Sequence, residues 1–119
     1  MPLRVLLVDD DARFRAQARR ALTAEGIDVV AEVDCGTEVV AATARWQPDV
    51  VLLDLGLPDI DGLEVARRLQ AEQAGPVVIL ISTREAAYGT RVAAGLAAGF
   101  LPKHQLSLPA ILSLASPGP

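Results

Sequence analysis

The sequence predicts an α/β domain in which a parallel β-sheet is covered by helices on both faces. Strand-like and helix-like segments alternate along the whole chain, without a linker between them. The strand-like segments are continuously apolar, which is typical of strands buried on both faces of a parallel sheet. A chain of 119 residues, 51% of them hydrophobic, is long enough for one such core and too short for two. We therefore expect a single domain over residues 1–119.

Five short apolar segments are the predicted strands. They are flanked by turn-forming residues such as Gly26, Pro48 and the pair Gly75-Pro76. Asp28 lies near the start of the second segment, so that strand is expected to be frayed there. The five segments are Leu3–Val8, Ile27–Val33, Val50–Asp54, Val77–Ile81 and Phe100–Lys103.

A helix is predicted after each strand, from apolar residues at helical spacing and from capping residues. Asp61 followed by Glu64 resembles a capping box at the start of the third helix. Gly89 and Gly95 weaken the fourth helix, because glycine inside a helix costs up to ~1 kcal/mol relative to alanine. The predicted helices cover 12–25, 36–46, 61–73, 84–98 and 107–116.

The apolar residues of the last helix indicate which of its faces meets the core. Leu108, Ile111, Leu112 and Ala115 are predicted to face inward, which leaves Leu114 off that stripe. An exposed leucine at this position would suit an interface with a partner or a second copy, although single surface leucines are also ordinary.

Composition argues against several functional classes. The net charge is −4 and only 22% of residues are charged, whereas binding to nucleic-acid phosphates needs clustered lysine and arginine. Cys35 is the single cysteine, which excludes an internal disulfide and indicates a reducing compartment. There is no signal-peptide pattern, and the longest apolar runs are about half of the ~20 residues that span a bilayer. We expect a cytoplasmic domain that contacts neither nucleic acid nor membrane directly.

Polar side chains follow four of the predicted strands at the point where each strand ends. Because the carboxyl ends of parallel strands meet at one edge of a sheet, we expect these side chains to converge there. Asp11 is expected to cap the first helix, so that its two neighbours face the sheet edge. The residues at the strand ends are Asp9, Asp10, Asp11, Asp54, Ser82 and Lys103.

These residue types indicate phosphoryl chemistry. Asp9, Asp10 and Asp54 would repel one another, which raises their pKa values until a divalent cation relieves the repulsion. Oxygen ligands without nearby histidine or cysteine favour Mg²⁺ or Mn²⁺ over zinc. The hydroxyl of Ser82 and the ammonium of Lys103 would complete a cage for a phosphoryl group. A free carboxylate in such a cage suits the formation of an aspartyl-phosphate.

The motifs resemble, over essentially the whole chain, the receiver domain of two-component response regulators. They are Val8-Asp9-Asp10, then Asp54-Leu55-Gly56-Leu57-Pro58 with Asp61-Gly62, then Ser82 and Lys103. Their order and spacing match the family, with 44 residues from Asp10 to Asp54, 28 more to Ser82 and 21 more to Lys103. The resemblance implies a flavodoxin-like (βα)5 fold with strand order 2-1-3-4-5.

The resemblance also implies roles for the site residues. Asp54 is the expected phosphoacceptor, served by a sensor histidine kinase or a phosphotransfer protein. Asp10, Asp54 and the backbone carbonyl of Gly56 are the expected Mg²⁺ ligands, and Asp9 is expected to bind the metal through water. Lys103 would pair with the phosphoryl group. Self-phosphorylation and slow autodephosphorylation are expected in place of conventional enzyme turnover.

Ser82 and Phe100 are implied to be the switch pair that carries the signal outward. The expected output surface is formed by the fourth helix, the fifth strand and the fifth helix, and it would control an output domain or partner, or form a homodimer. No effector domain is expected within these 119 residues. Leu101-Pro102-Lys103 resembles receivers joined to a C-terminal helix-turn-helix domain, which suggests transcription regulation. The first helix carries a basic face suited to an acidic partner, formed by Arg13, Arg15, Arg19 and Arg20.

This chain departs from the family pattern at two positions near the site. His104 follows Lys103 where many members have proline, and Thr83 follows Ser82 where alanine or glycine is common. Thr83 is expected to narrow the access to Asp54. Neither residue removes the chemistry, but both bear on turnover rates.

Three alternatives have distinct signatures. A phosphatase with an aspartyl nucleophile usually has a second aspartate two residues later as the general acid, and Gly56 occupies that position. Inert interaction modules on this fold usually lose an acidic residue, whereas this chain keeps them all. A flavin site would want a serine- and threonine-rich phosphate loop after the first strand, where the run Asp9-Asp10-Asp11 lies instead.

Overall fold

Five parallel strands form one sheet in the computed structural model, which describes residues 2–71, 75–82 and 98–115. Their order is β2-β1-β3-β4-β5, so the predicted fold class and strand order are confirmed. The strands are β1 (Arg4–Val8), β2 (Asp28–Val33), β3 (Val50–Asp54), β4 (Val77–Ser82) and β5 (Gly99–Pro102).

Strand boundaries differ from the predicted ones by about one residue. Asp28 belongs to β2, because it pairs with Arg4 and its amide donates to the Leu3 carbonyl at 2.9 Å. The expected fraying at Asp28 is therefore wrong, and the irregularity lies further along β2. Val5 pairs with Val29 and Leu6 with Ala31, so Val30 is the extra residue in that strand. Lys103 does not end β5 but begins the 3₁₀ turn that follows it.

Four helices lie within the described residues: α1 (Ala12–Ala24), α2 (Val39–Trp46), α3 (Gly62–Ala71) and α4 (Leu108–Ala115). A 3₁₀ turn over Gly36–Glu38 replaces the start of the predicted second helix. The predicted helix over 84–98, with Gly89 and Gly95, falls outside the described residues except for Ala98. None of the described helices is long and apolar enough to cross a bilayer.

The caps of α1 and α3 test two predictions. Asp11 caps α1, since its carboxylate accepts from the amides of Arg13 and Phe14 at 3.0 and 3.2 Å. Asp61 accepts from the Leu63 amide at 2.8 Å, as a capping residue does. The expected capping box is not closed, because Glu64 pairs with the guanidinium groups one turn ahead of it, those of Arg67 and Arg68.

Each face of the sheet has its own hydrophobic core. Val5 and Leu7 of β1 face one core, and Leu6 and Val8 face the other. The first core includes buried residues of α1 and α4, and the second includes those of α2 and α3. Because β1 and β3 contribute apolar side chains to both cores, their sequences are continuously apolar.

The inward face of α4, which is the last of the five predicted helices, differs from the predicted one. Leu114 packs against the first core, and its side chain fills the space beside Gly99, where an added Cβ would lie 2.6 Å from Leu114 Cδ2. Leu112 is instead the exposed leucine, with 42% of its surface accessible. The stripe is centred on Ile111, which places Leu114 one turn away on the same face and Leu112 about 100° around the helix.

Candidate functional site

Three carboxylates meet at the carboxyl end of the sheet, as the sequence predicts. The ends of β1 and β3 are neighbours, and oxygen atoms of Asp9, Asp10 and Asp54 all lie within 4.8 Å of one another. Asp9 is completely buried and Asp54 is 6% exposed, whereas Asp10 is exposed. The cluster therefore combines two carboxylates set into the protein with one at its surface.

Backbone amides orient the two buried carboxylates. Oδ1 of Asp9 accepts from the Asp11 amide at 2.8 Å, and Oδ1 of Asp54 accepts from the Gly56 amide at 3.1 Å. Both bonds join an aspartate to the amide two residues later, which is the pattern of an Asx turn. The second oxygen of each carboxylate, Oδ2, is thereby left to face the centre of the site.

Lys103 reaches that centre from the turn after β5. Its Nζ lies 2.6 Å from Oδ2 of Asp9 and 3.7 Å from Oδ2 of Asp54. The contact with Asp9 is an ion pair without the alignment of a hydrogen bond, since Oδ2 of Asp9 is buried and accepts none. Among the described residues, Lys103 is the one cation within ion-pair distance of these buried carboxylates.

The pKa of the Asp54 carboxyl is raised above its ordinary value, chiefly because burial disfavours the charged form. The charges of Asp9 and Asp10 raise it further, while the Gly56 amide and Lys103 act in the opposite direction. The predicted repulsion between carboxylates is thus present at Asp54, but loss of hydration is the larger cause.

Ser82 and Phe100 lie on the strands beside the acceptor. Asp54 pairs with Ile81, so Ser82, which is 4% exposed, follows one residue beyond it at the end of β4. Phe100 pairs with Leu80 and is half-buried against the second core. Their switching roles remain predictions, and Thr83 lies outside the described residues.

The donor set fits a hard divalent cation such as Mg²⁺. The three clustered side chains offer only carboxylate oxygens, which suit Mg²⁺ better than soft metals. Oδ2 of Asp9 is a buried oxygen without a hydrogen bond, and a cation or its bound water would satisfy it. The metal roles given above to Asp10, Asp54, Gly56 and Asp9 remain predictions.

The loop after β3 is held firmly next to the acceptor. A Cβ on Gly62 would lie 2.8 Å from the Asp54 carbonyl oxygen and 2.9 Å from Cα of Leu55, so only glycine permits this approach. The carboxylate of Asp59 accepts from the amides of Gly36 and Thr37 at 2.8 and 2.9 Å. These two bonds lower the pKa of Asp59 to about 2.

The role of Arg15 was not apparent from the sequence. Its Nη1 donates to the backbone carbonyl of Asp9 at 2.5 Å, and its Nε lies 3.1 Å from Oε1 of Glu32. Glu32 also pairs with Arg19. The basic face predicted for α1 is therefore partly neutralised, and Arg13 and Arg20 are its exposed members without an ion pair in the described structure.

Comparison with known proteins gives consistent relatives. The family model for the response regulator receiver domain matches residues 5–113. Response regulator MprA of Mycobacterium sp. strain KMS is 42% identical over 106 residues, which are 87% of this chain and 45% of that protein. The probable transcriptional regulatory protein TcrX of Mycobacterium tuberculosis is 40% identical over 98 residues, 82% of this chain and 41% of its own length. This chain thus spans less than half the length of these curated relatives.

Solved structures agree with the sequence relatives. The signal receiver domain of response regulator NarL from Mycobacterium tuberculosis superimposes with a TM-score of 0.85 at 34% identity, covering 96% of each chain. A CheX-CheY-BeF3-Mg complex from Borrelia burgdorferi gives a TM-score of 0.81 at 25% identity, covering 96% of this chain and 87% of that one. On its fold, its strand-end carboxylates and these relatives, the chain belongs to the family of response regulator receiver domains of two-component systems.

Proposed function

We propose that Asp54 accepts a phosphoryl group from a sensor histidine kinase or phosphotransfer protein in the presence of Mg²⁺. The observation that carries this proposal is the position of Asp54 at the end of β3. There its carboxylate has two acidic neighbours and an ammonium 3.7 Å away. A carboxylate set among metal-binding oxygens and a cation is suited to nucleophilic attack on phosphorus.

The proposed reaction forms one bond and breaks one. An oxygen of Asp54 forms an O–P bond while the P–N bond of the donor phosphohistidine breaks, and the electron pair of that bond stays on the imidazole. Lys103 would then face a phosphoryl oxygen in place of the Asp54 oxygen that it now approaches at 3.7 Å. Ser82, the other residue of the predicted cage, would contribute a hydroxyl donor to the phosphoryl group.

We propose that Asp10, Asp54 and the Gly56 carbonyl hold Mg²⁺ directly and that Asp9 holds it through water. Bound Mg²⁺ would neutralise the charge that builds up between the carboxylate and the phosphoryl oxygens. Asp9 suits the outer position, because its carboxylate is completely buried and its Oδ2 accepts no hydrogen bond, so a metal-bound water could donate one to it.

Intact-mass measurement of the purified chain tests this function. With Mg²⁺ and a small acyl phosphate, we expect the addition of one phosphoryl group, which is lost again slowly. Continuous release of inorganic phosphate from the donor without an observable adduct would indicate a phosphatase. An unchanged mass would contradict phosphorylation and favour an inert interaction module.

We propose that the kinase docks on α1 and the loop after Lys103. Arg13 and Arg20 are exposed, whereas Arg15 and Arg19 pair with Glu32. We therefore expect Arg13→Glu with Arg20→Glu to slow phosphotransfer from a cognate kinase roughly tenfold, since opposite charges steer association. Phosphorylation by a small acyl phosphate should be unchanged. Arg67→Glu reverses an exposed charge on α3 and should not slow transfer from the kinase, and equal slowing with both donors would contradict docking at α1.

We propose that phosphorylation acts outward through Ser82 and Phe100. The Ser82 hydroxyl would move toward the phosphoryl oxygens and Phe100 would turn inward. The surface predicted from the fourth helix, the fifth strand and the fifth helix would then control an output domain or form a homodimer. The relative TcrX is a transcriptional regulatory protein, so we propose transcription as the output. Cys35 is not in a disulfide, in keeping with the cytoplasm as the proposed compartment.

Backbone amide NMR with Mg²⁺ and beryllofluoride tests this switch. We expect shifts at Asp54 to be accompanied by shifts at Phe100 and along β5, because a two-state element responds as a unit. Perturbations confined to the neighbourhood of Asp54 would contradict the switch while leaving phosphorylation intact.

A further inference from the structure

The ring of Phe14 lies against the ammonium group of Lys103. Nζ of Lys103 is 4.5 Å from the ring centroid, within the range of a cation–π contact. Phe14 is half-buried and packs against the first core, so the ring has support on its other side. The Lys103 side chain is only 14% exposed, which strengthens an electrostatic contact of this kind.

Three groups therefore surround the ammonium, and each lies in a different part of the fold. Asp9 directly follows β1, Asp54 ends β3, and Phe14 lies in the first turn of α1. The backbone amide of Phe14 donates to Asp11, so the turn that carries the ring is tied to the same acidic segment that carries Asp9. An ammonium on a flexible four-carbon stem is strongly hydrated unless neighbouring groups replace the water.

We propose that Phe14 is a positioning residue for phosphorylation, which acts by fixing the Lys103 ammonium between Asp9 and Asp54. This proposal rests on the proposed function of Asp54. The ring covers one side of the ammonium, excludes water from it, and keeps it directed at the oxygens that the phosphoryl group will approach. A lysine held in advance loses less side-chain entropy when the phosphoryl group arrives.

Two substitutions separate positioning from simple packing. Phe14→Leu keeps an apolar side chain on the core but removes the aromatic face, whereas Phe14→Tyr keeps that face. We expect the leucine variant to be phosphorylated roughly tenfold more slowly by a small acyl phosphate with Mg²⁺. The tyrosine variant should retain the parental rate. If both variants are slowed equally, or if neither is, the aromatic face has no positioning role.

A matched control and a double variant sharpen the test. Arg45 lies 5.2 Å from the ring centroid of Trp46, the same type of contact at the end of α2. Trp46→Leu should leave the phosphorylation rate unchanged. In a Lys103→Met background, Phe14→Leu should cause no additional slowing, because the proposed effect passes through the ammonium. A further tenfold loss in that background would overturn the proposal.

A spectroscopic readout does not depend on phosphorylation. The Hε protons of Lys103 should show an upfield ring-current shift in the parent and in Phe14→Tyr, and this shift should vanish in Phe14→Leu. Its absence from the parent would refute the contact itself. If the shift is present but the parent takes up no phosphoryl group, the proposed function has failed and the positioning role fails with it, although the contact stands.

Discussion

Asp54→Asn is expected to take up no phosphoryl group and yet to be more stable than the parent chain in metal-free buffer at neutral pH. The amide is not a nucleophile toward phosphorus under these conditions, so phosphorylation is lost. The substitution also removes a charge that lies buried among other carboxylates. Its oxygen can still accept the 3.1 Å bond from the Gly56 amide, so the local fold is retained.

The sign of the stability change follows from the pKa of Asp54. In the folded chain this pKa is raised above its ordinary value of 3.8, so folding favours the protonated form. That contribution is fully present below pH 3.8 and is lost as the pH rises through the folded-state pKa. Ionised Asp54 therefore costs stability at neutral pH, and asparagine does not.

Urea unfolding in the presence of a chelator, between pH 4 and pH 7.5, measures this effect. The stability advantage of Asp54→Asn should grow as the pH rises across that range. Asp28→Asn is a matched control, because Asp28 is exposed and only weakly paired with Arg4 at 3.9 Å. Millimolar Mg²⁺ should stabilise the parent and largely fail to stabilise Asp54→Asn. If Asp54→Asn is less stable than the parent at pH 7, neighbouring groups offset the cost of burying the ionised Asp54 carboxylate and the prediction is wrong.

The position of the carboxylates could be predicted because it depends on topology alone. Continuously apolar strands require a parallel sheet, and a parallel sheet brings the residues after each strand to one edge. Asp9, Asp10, Asp54 and Lys103 follow from that rule and lie together in the structure. Their order and spacing then identified the family.

Other features depend on side-chain direction, which spacing does not determine. Phe14 and Arg15 are neighbours in α1, yet one meets Lys103 and the other reaches the Asp9 carbonyl. Glu64 could accept from the backbone amide of Asp61, as in a capping box, or pair with arginines of the next turn. It pairs with Arg67 and Arg68. The inward face of α4 also depends on where its first turn docks. The sequence therefore predicted Leu112 on the inward face and Leu114 off it, whereas Leu114 packs on the core and Leu112 is exposed.

Lys103→Met is expected to destabilise the metal-free fold by about 3 kcal/mol, since removing one member of a buried ion pair leaves the other charge uncompensated. Asp9 is completely buried, and Lys103 Nζ lies 2.6 Å from its Oδ2. Methionine keeps much of the unbranched apolar stem, so the lost charge dominates the change. Lys103 is thus expected to stabilise the metal-free fold as well as to assist the reaction.

Two additions to the Lys103→Met chain should restore stability by the same reasoning. Asp9→Asn removes the orphaned charge, so the double variant should recover most of the lost stability. Millimolar Mg²⁺ supplies another cation, so it should stabilise Lys103→Met more than it stabilises the parent. Arg13→Met, which removes an exposed cation, should change stability by less than about 0.5 kcal/mol. Urea midpoints with and without Mg²⁺ measure all four chains. If Asp9→Asn fails to rescue Lys103→Met, the ammonium stabilises the fold through something other than the Asp9 charge.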